Sequence, residues 1–209
     1  MEFNKSYNRA ELLSFLRTKF LPEDFVQEES VVEFATQTKY STRATRLGSC
    51  ASLDLVVYEI RHRSRYDARV GMSKEAFRLL AEEYEDRALV FFVPEDSQDN
   101  YRLSLIEITL EVDNNSAKIN RKYSNPHRYS YYLGKGIAYH TPNEYLNEKG
   151  RVLDIDDLHN RFSVDVLTKA FYQELSDWYA WAIKIVKFPN DLKTLEDNQK
   201  YNSEAMIRL

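Results

Sequence analysis

The chain has 209 residues, a mass of 24.7 kDa, 30% charged residues and a formal net charge of −4. That length suits one sizeable domain, or a domain of about 110–150 residues with a smaller helical companion. The composition excludes a globally basic nucleic-acid binder, an internal disulfide and a clustered zinc site, because Cys50 has no mate and His62, His127, His140 and His159 stand apart. With a polar beginning and no apolar run of about eighteen residues, the chain reads as cytoplasmic, with no membrane partner.

Asn8 can cap a helix to about residue 20, with Leu12, Leu13, Leu16 and Phe20 on one stripe and Pro22 ending it. Three strands are expected next, over 31–39, 41–47 and 53–62, with the small residues 48–52 as the turn before the third. Ser73 should cap a helix to about residue 85, with Phe77, Leu80, Ala81 and Tyr84 turned inward. The run ALVFFV (88–93) reads as a buried central strand, and 101–112 as an edge or antiparallel one. Short helices over 142–149 and 154–160 precede a long one capped by Ser163, whose face would carry Val164, Leu167, Phe171, Leu175, Trp178 and Ala182. Another amphipathic pattern begins after Ser203 and breaks off, so the chain is expected to be the N-terminal piece of a longer protein. Helix, three strands, helix, strand, strand is the pattern of an α/β protein with a mixed sheet flanked by helices, followed here by a helical extension.

From Asn114 to Asn143 there is no Asp or Glu, while Lys118, Arg121, Lys122, Arg128 and Lys135 alternate with Tyr123, Tyr129, Tyr131, Tyr132 and Tyr139. Cations neutralise phosphates and aromatic faces stack on unpaired bases, so this stretch suits a nucleic-acid surface. It equally suits a long irregular connection whose tyrosines pack on the domain beneath. The run RHRSRYDARV (61–70) places Arg65 and Arg69 just before the second helix, where phosphate can meet a helix N-terminus. A solvated loop balanced by Glu82, Glu83, Glu85 and Asp86 is the plain alternative.

Strand alternation places Glu59 and Arg61 on one face and Asp54 and His62 on the other. An acid two residues from a cation on a strand is the geometry by which metal-dependent nucleases hold Mg²⁺ and steady an attacking water. Glu59 and Asp54 would hold the metal with Glu11 auxiliary, and Arg61 or His62 would lie near the scissile phosphate. A structural ion pair between Glu59 and Arg61 is the competing account. Gln37-Thr38-Lys39, with Glu33, has the same spacing as Glu59 and Arg61 and forms a weaker rival site.

Five stretches together resemble the N-terminal region of single-chain type II (type IIG/IIS-like) restriction–modification enzymes. They are LGSCASLDLVVYEIRH (47–62), DARVGMSKEAFRLL (67–80), ALVFF (88–92), YSNPHRYSYYLG (123–134) and RFSVDVLTKAFYQELSDWYAWAI (161–183). The resemblance implies an αβββαβ nuclease-like core of the PD-(D/E)XK kind over 1–115, with Glu59 in the carboxylate position of its last motif. A basic-aromatic connecting segment (116–150) and a helical extension (151–209) would lead to an adenine methyltransferase in a missing C-terminal part. Mg²⁺ would serve the nuclease, and AdoMet only that missing part. Double-stranded DNA would be the partner, with the remainder of the longer chain, and Arg65, Arg69, Arg121, Lys122, Arg128 and Tyr129 would grip it. The chain departs from the family pattern twice: residues 41–52 contain no acid, and Arg61 stands where lysine is usual. The expectation is therefore a Mg²⁺-dependent endonuclease module or, alternatively, an inactive DNA-binding or scaffold module that positions the methyltransferase.

Overall fold

The computed structural model describes residues 1–64, 69–113, 118–124, 130–137, 139–191 and 193–207. The chain divides into two compact units, Met1–Val164 and Asp165–Leu209.

The first unit is organised by strands β1 (Phe25–Val32), β2 (Ser41–Cys50), β3 (Leu55–His62), β4 (Arg87–Pro94), β5 (Asn100–Asp113), β6 (Lys118–Tyr123) and β7 (Ser130–Gly134). They form one mixed sheet in the order β1-β2-β3-β4-β5-β6, with β7 also paired to β5. All described pairings are antiparallel except β3 with β4. Parallel neighbours need a crossover, and helix α2 (Arg69–Glu82) supplies it. Helix α1 (Arg9–Phe15) starts where the Asn8 side chain accepts the Glu11 N–H at 3.2 Å, and continues as a wider π-type turn over Leu16–Phe20. A short α3 (His140–Pro142) runs into a second such turn, Asn143–Glu148. Asp154 caps α4 (Ile155–Phe162) by accepting the Asp157 N–H at 2.8 Å.

The central strands are apolar on both faces, as a sheet covered on two sides requires. Against α2, Val56, Tyr58 and Ile60 of β3 and Ala88, Val90 and Phe92 of β4 pack on Met72, Ala76, Phe77 and Leu80. On the other face the register aligns Glu59 with Phe91, Phe91 with Leu103 and Leu103 with Tyr131. The segment leading into α1 and the end of α4 cover this face: the Tyr7 ring meets Tyr101 at 5.3 Å, and Tyr131 meets Phe162 at 5.3 Å.

Several boundaries differ from expectation for identifiable reasons. The first strand is Phe25–Val32 rather than 31–39. The Glu75 carboxylate accepts the N–H groups of Lys39 (2.7 Å), Tyr40 (3.1 Å) and Ser41 (2.8 Å), so Lys39 and Tyr40 are bound to a side chain and the ladder resumes only with β2 at Ser41. Ser73 does not cap α2 but lies buried inside it, since the helix begins at Arg69. Within the acid-free stretch, Lys118–Tyr123 and Ser130–Gly134 are strands rather than irregular connection, and both add to β5 in the first unit.

The second unit holds most of α5 (Val164–Ile185) and α6 (Leu195–Ile207). α6 starts earlier than Ser203 because the Thr194 hydroxyl accepts the Asp197 N–H at 3.1 Å and caps it there. Tyr179 donates to the Ser203 carbonyl at 3.3 Å and the Phe188 N–H to Asn202 at 3.1 Å, which ties the two helices together. Of the stripe expected to face a core, Ala182 is buried while Phe171, Leu175 and Trp178 are exposed. No helix among the described residues is long and apolar enough to cross a membrane.

Candidate functional site at Glu59

Glu59 sits at the middle of β3, the strand at the centre of the antiparallel-to-parallel switch, and is fully buried. A carboxylate at such a position must be neutralised and hydrogen-bonded. The residues flanking the Asn8 cap supply both needs. Tyr7 donates its hydroxyl to Oε2 at 2.5 Å. Arg9 donates Nε to Oε2 at 2.9 Å and Nη2 to Oε1 at 2.6 Å, a bidentate fork. Arg61 donates Nε to Oε1 at 2.7 Å, and its guanidinium lies 5.5 Å from the centre of the Tyr7 ring. Burial pushes the Glu59 carboxyl up, but the hydrogen bonds from Arg9, Tyr7 and Arg61 outweigh it and hold the pKa below the usual range. Burial and the facing Glu59 charge raise the Tyr7 hydroxyl, so Tyr7 stays protonated as a donor.

The cluster reaches outward through its arginines. Arg9 also bonds Glu29 of β1 at 3.2 Å, and its side chain is 34% exposed. Arg43, exposed on β2, lies directly across the sheet from Arg61 and has no ion-pair partner among the described residues. Two like charges opposite each other on neighbouring strands repel unless an anion joins them. Thr45 occupies the β2 position opposite Glu59, and its buried hydroxyl has no hydrogen-bond partner among the described residues.

The other expected residues fall elsewhere. Asp54 precedes β3 in a left-handed turn (φ 47°), where it closes the 3-10 turn Ala51–Leu53. Four strand residues, a rise of roughly 16 Å from one Cα to the other, separate it from Glu59. Glu11 is exposed on the first turn of α1 and is not among the groups bonded to Glu59. His62 faces α2, buried, where its Nδ1 accepts the Ser64 N–H at 3.3 Å. The Glu33 and Gln37–Lys39 rival site does not assemble as a strand pattern, because these residues follow the end of β1. Arg69 opens α2, Lys122 is exposed on β6, and Arg121 belongs to the β6 backbone. Arg65, Arg128 and Tyr129 lie outside the described residues.

The donor set at Glu59 does not fit a Mg²⁺ ion. Such an ion takes oxygen ligands, usually carboxylates, whereas both oxygens here are engaged by two guanidiniums and a phenol. Among the described residues no group of three Asp, Glu, His or Cys side chains is placed to hold a metal. Tyr7, Arg9, Arg43 and Glu29 were not singled out in sequence, since each comes from a different element and no spacing motif links them to Glu59. No family model, curated protein or solved structure matches the chain.

Proposed function

We propose that this chain is a DNA-binding module on a restriction-endonuclease-like αβββαβ core, with Glu59 holding the core together instead of holding Mg²⁺. The carrying observation is the Glu59 cluster: one buried carboxylate engaged by Arg9 and Arg61, with Arg43 beside them on the same sheet face. The order α1, β1, β2, β3, α2, β4, with β3 and β4 parallel, supports the architectural comparison. Membership of a larger restriction–modification enzyme, with an AdoMet-dependent methyltransferase beyond this part, rests on the sequence resemblance.

Three arginines against the carboxylates of Glu59 and Glu29 leave one net positive charge on this face, at Arg43, unpaired among the described residues, where the phosphate backbone of duplex DNA would meet it. Arg43 and Arg61 would share a phosphate, relieving the repulsion between them. Duplex binding measured from low to moderate salt should show log K falling with log salt at a slope of about −1, for the one shared phosphate, and Arg43→Ala should bring that slope close to zero. Binding that ignores salt would remove the proposal. Mg²⁺-dependent nicking by the native chain, lost in Glu59→Ala, would replace it with the endonuclease reading.

A further inference from the structure

The carboxyl ends of the parallel strands β3 and β4 open onto a cavity of about 330 Å³. His62 ends β3, Met72 enters from the first turn of α2, and Asn100, Arg102 and Tyr132 come from β5 and β7. Open α/β sheets favour ligands in the crevice beyond the carboxyl ends of parallel strands, where the following helix turns its positive N-terminal end.

The walls carry the chemistry of a binding site. Arg102 is only 3% exposed; its Nη1 donates to the Ser130 hydroxyl at 2.8 Å, and its guanidinium lies 5.2 Å from the centre of the Tyr132 ring. His62 accepts the Ser64 N–H at Nδ1 at 3.3 Å. Oδ1 of Asn100 is buried and has no hydrogen-bond partner among the described residues. A buried acceptor of that kind is costly unless a donor reaches it. Among the described lining residues Asp96 is the one carboxylate, and it is exposed.

We propose that this cavity binds a nucleoside 5′-monophosphate, either free or at the 5′ end of a DNA strand. The phosphate would meet Arg102 and His62, the base would lie against Tyr132 and Met72, and an amine or hydroxyl would satisfy Asn100. The volume suits one such unit. The cavity is on the α2 side of the sheet and Glu59 on the other, so this site does not rest on the arginine face.

The test is calorimetric titration of the whole chain with dAMP, deoxyadenosine and inorganic phosphate, and with one oligonucleotide bearing either a 5′-phosphate or a 5′-hydroxyl. dAMP should bind at least about tenfold more tightly than deoxyadenosine or phosphate alone, because the site engages both halves of the molecule. Tyr132→Ala should weaken dAMP by about tenfold through lost stacking. Arg102→Lys should weaken it comparably, since a lysine lacks the planar fork. Arg43→Ala should leave dAMP binding unchanged. A preference for the phosphorylated strand identifies a DNA end as the source, and a response to dAMP alone identifies the free nucleotide. No heat with either at millimolar concentration, or equal dAMP affinity in Tyr132→Ala and the native chain, overturns the proposal. Tyr132 is 41% exposed, so its variant keeps the test decisive if Arg102→Lys does not fold.

Discussion

At the scale of single residues, Glu59 shows how much a buried charge depends on each partner. Its four hydrogen bonds come from three side chains, two of them cationic and partly exposed. Removing the carboxylate leaves two guanidiniums facing a desolvated site, and Glu59→Ala should cost about 3 kcal/mol of folding stability by denaturant titration. Tyr7→Phe deletes one charge-assisted donor without changing volume and should cost about 1–2 kcal/mol. If Tyr7→Phe costs as much as Glu59→Ala, the role of Tyr7 is packing against Tyr101 and not donation. Glu59 and Arg61 were legible as a pair from strand alternation alone. Tyr7 and Arg9 were not, because fifty residues of chain separate Arg9 from Glu59 and nothing local predicts their meeting.

At the scale of elements, Glu75 does for the β1–β2 connection what Glu59 does for α1. It is buried on α2 and accepts three backbone N–H groups and the Ser41 hydroxyl. Burial raises its pKa, but the Ser41 hydroxyl and the N–H groups of Ser41, Lys39 and Tyr40 together hold it below the usual range. Glu75→Gln keeps the shape, but its amide NH₂ faces donors; we expect a loss of about 2 kcal/mol and faster amide exchange at Lys39, Tyr40 and Ser41. Unchanged exchange there would mean that packing, and not this carboxylate, orders the loop. The same element explains why the first strand was misplaced in sequence. Residues 31–39 carry a strand-like composition, and a side chain from α2 takes the N–H of Lys39, the last of them, and those of the two residues that follow.

For the whole molecule, the buried acids make stability depend on pH in one direction. Glu59, Glu75 and Asp157 all have folded pKa values below the ordinary range; for Asp157, burial opposes the shift and the Arg161 hydrogen bond prevails. A lowered folded pKa contributes stability that is fully present above the unfolded value, about pH 4, and is lost as pH falls through the folded value. Thermal melts should therefore fall steeply below about pH 4. Glu59→Gln should flatten that acid slope, and an equal slope in native and variant would show that this cluster does not drive acid unfolding. Glu59, Glu75 and Asp157 all belong to the first unit, so unfolding of the second unit should not follow their titration.

Periodicity and turn chemistry are local properties, and they determined what local physics can: most helices and strands, the α/β class, and the alternation that pairs Glu59 with Arg61. The apolar run ALVFFV declared a strand buried on both faces, and β4 is one. Sheet edges and partners are long-range properties that a strand's own residues do not encode. Thus the acid-free stretch, polar and aromatic by composition, gained strands β6 and β7 only by pairing with the long β5. The chemistry around Glu59 was decided the same way. In sequence it is a carboxylate suited to a cation, and in the fold the start of α1 and the residue before its cap deliver Arg9 and Tyr7 to the oxygens that a metal would need.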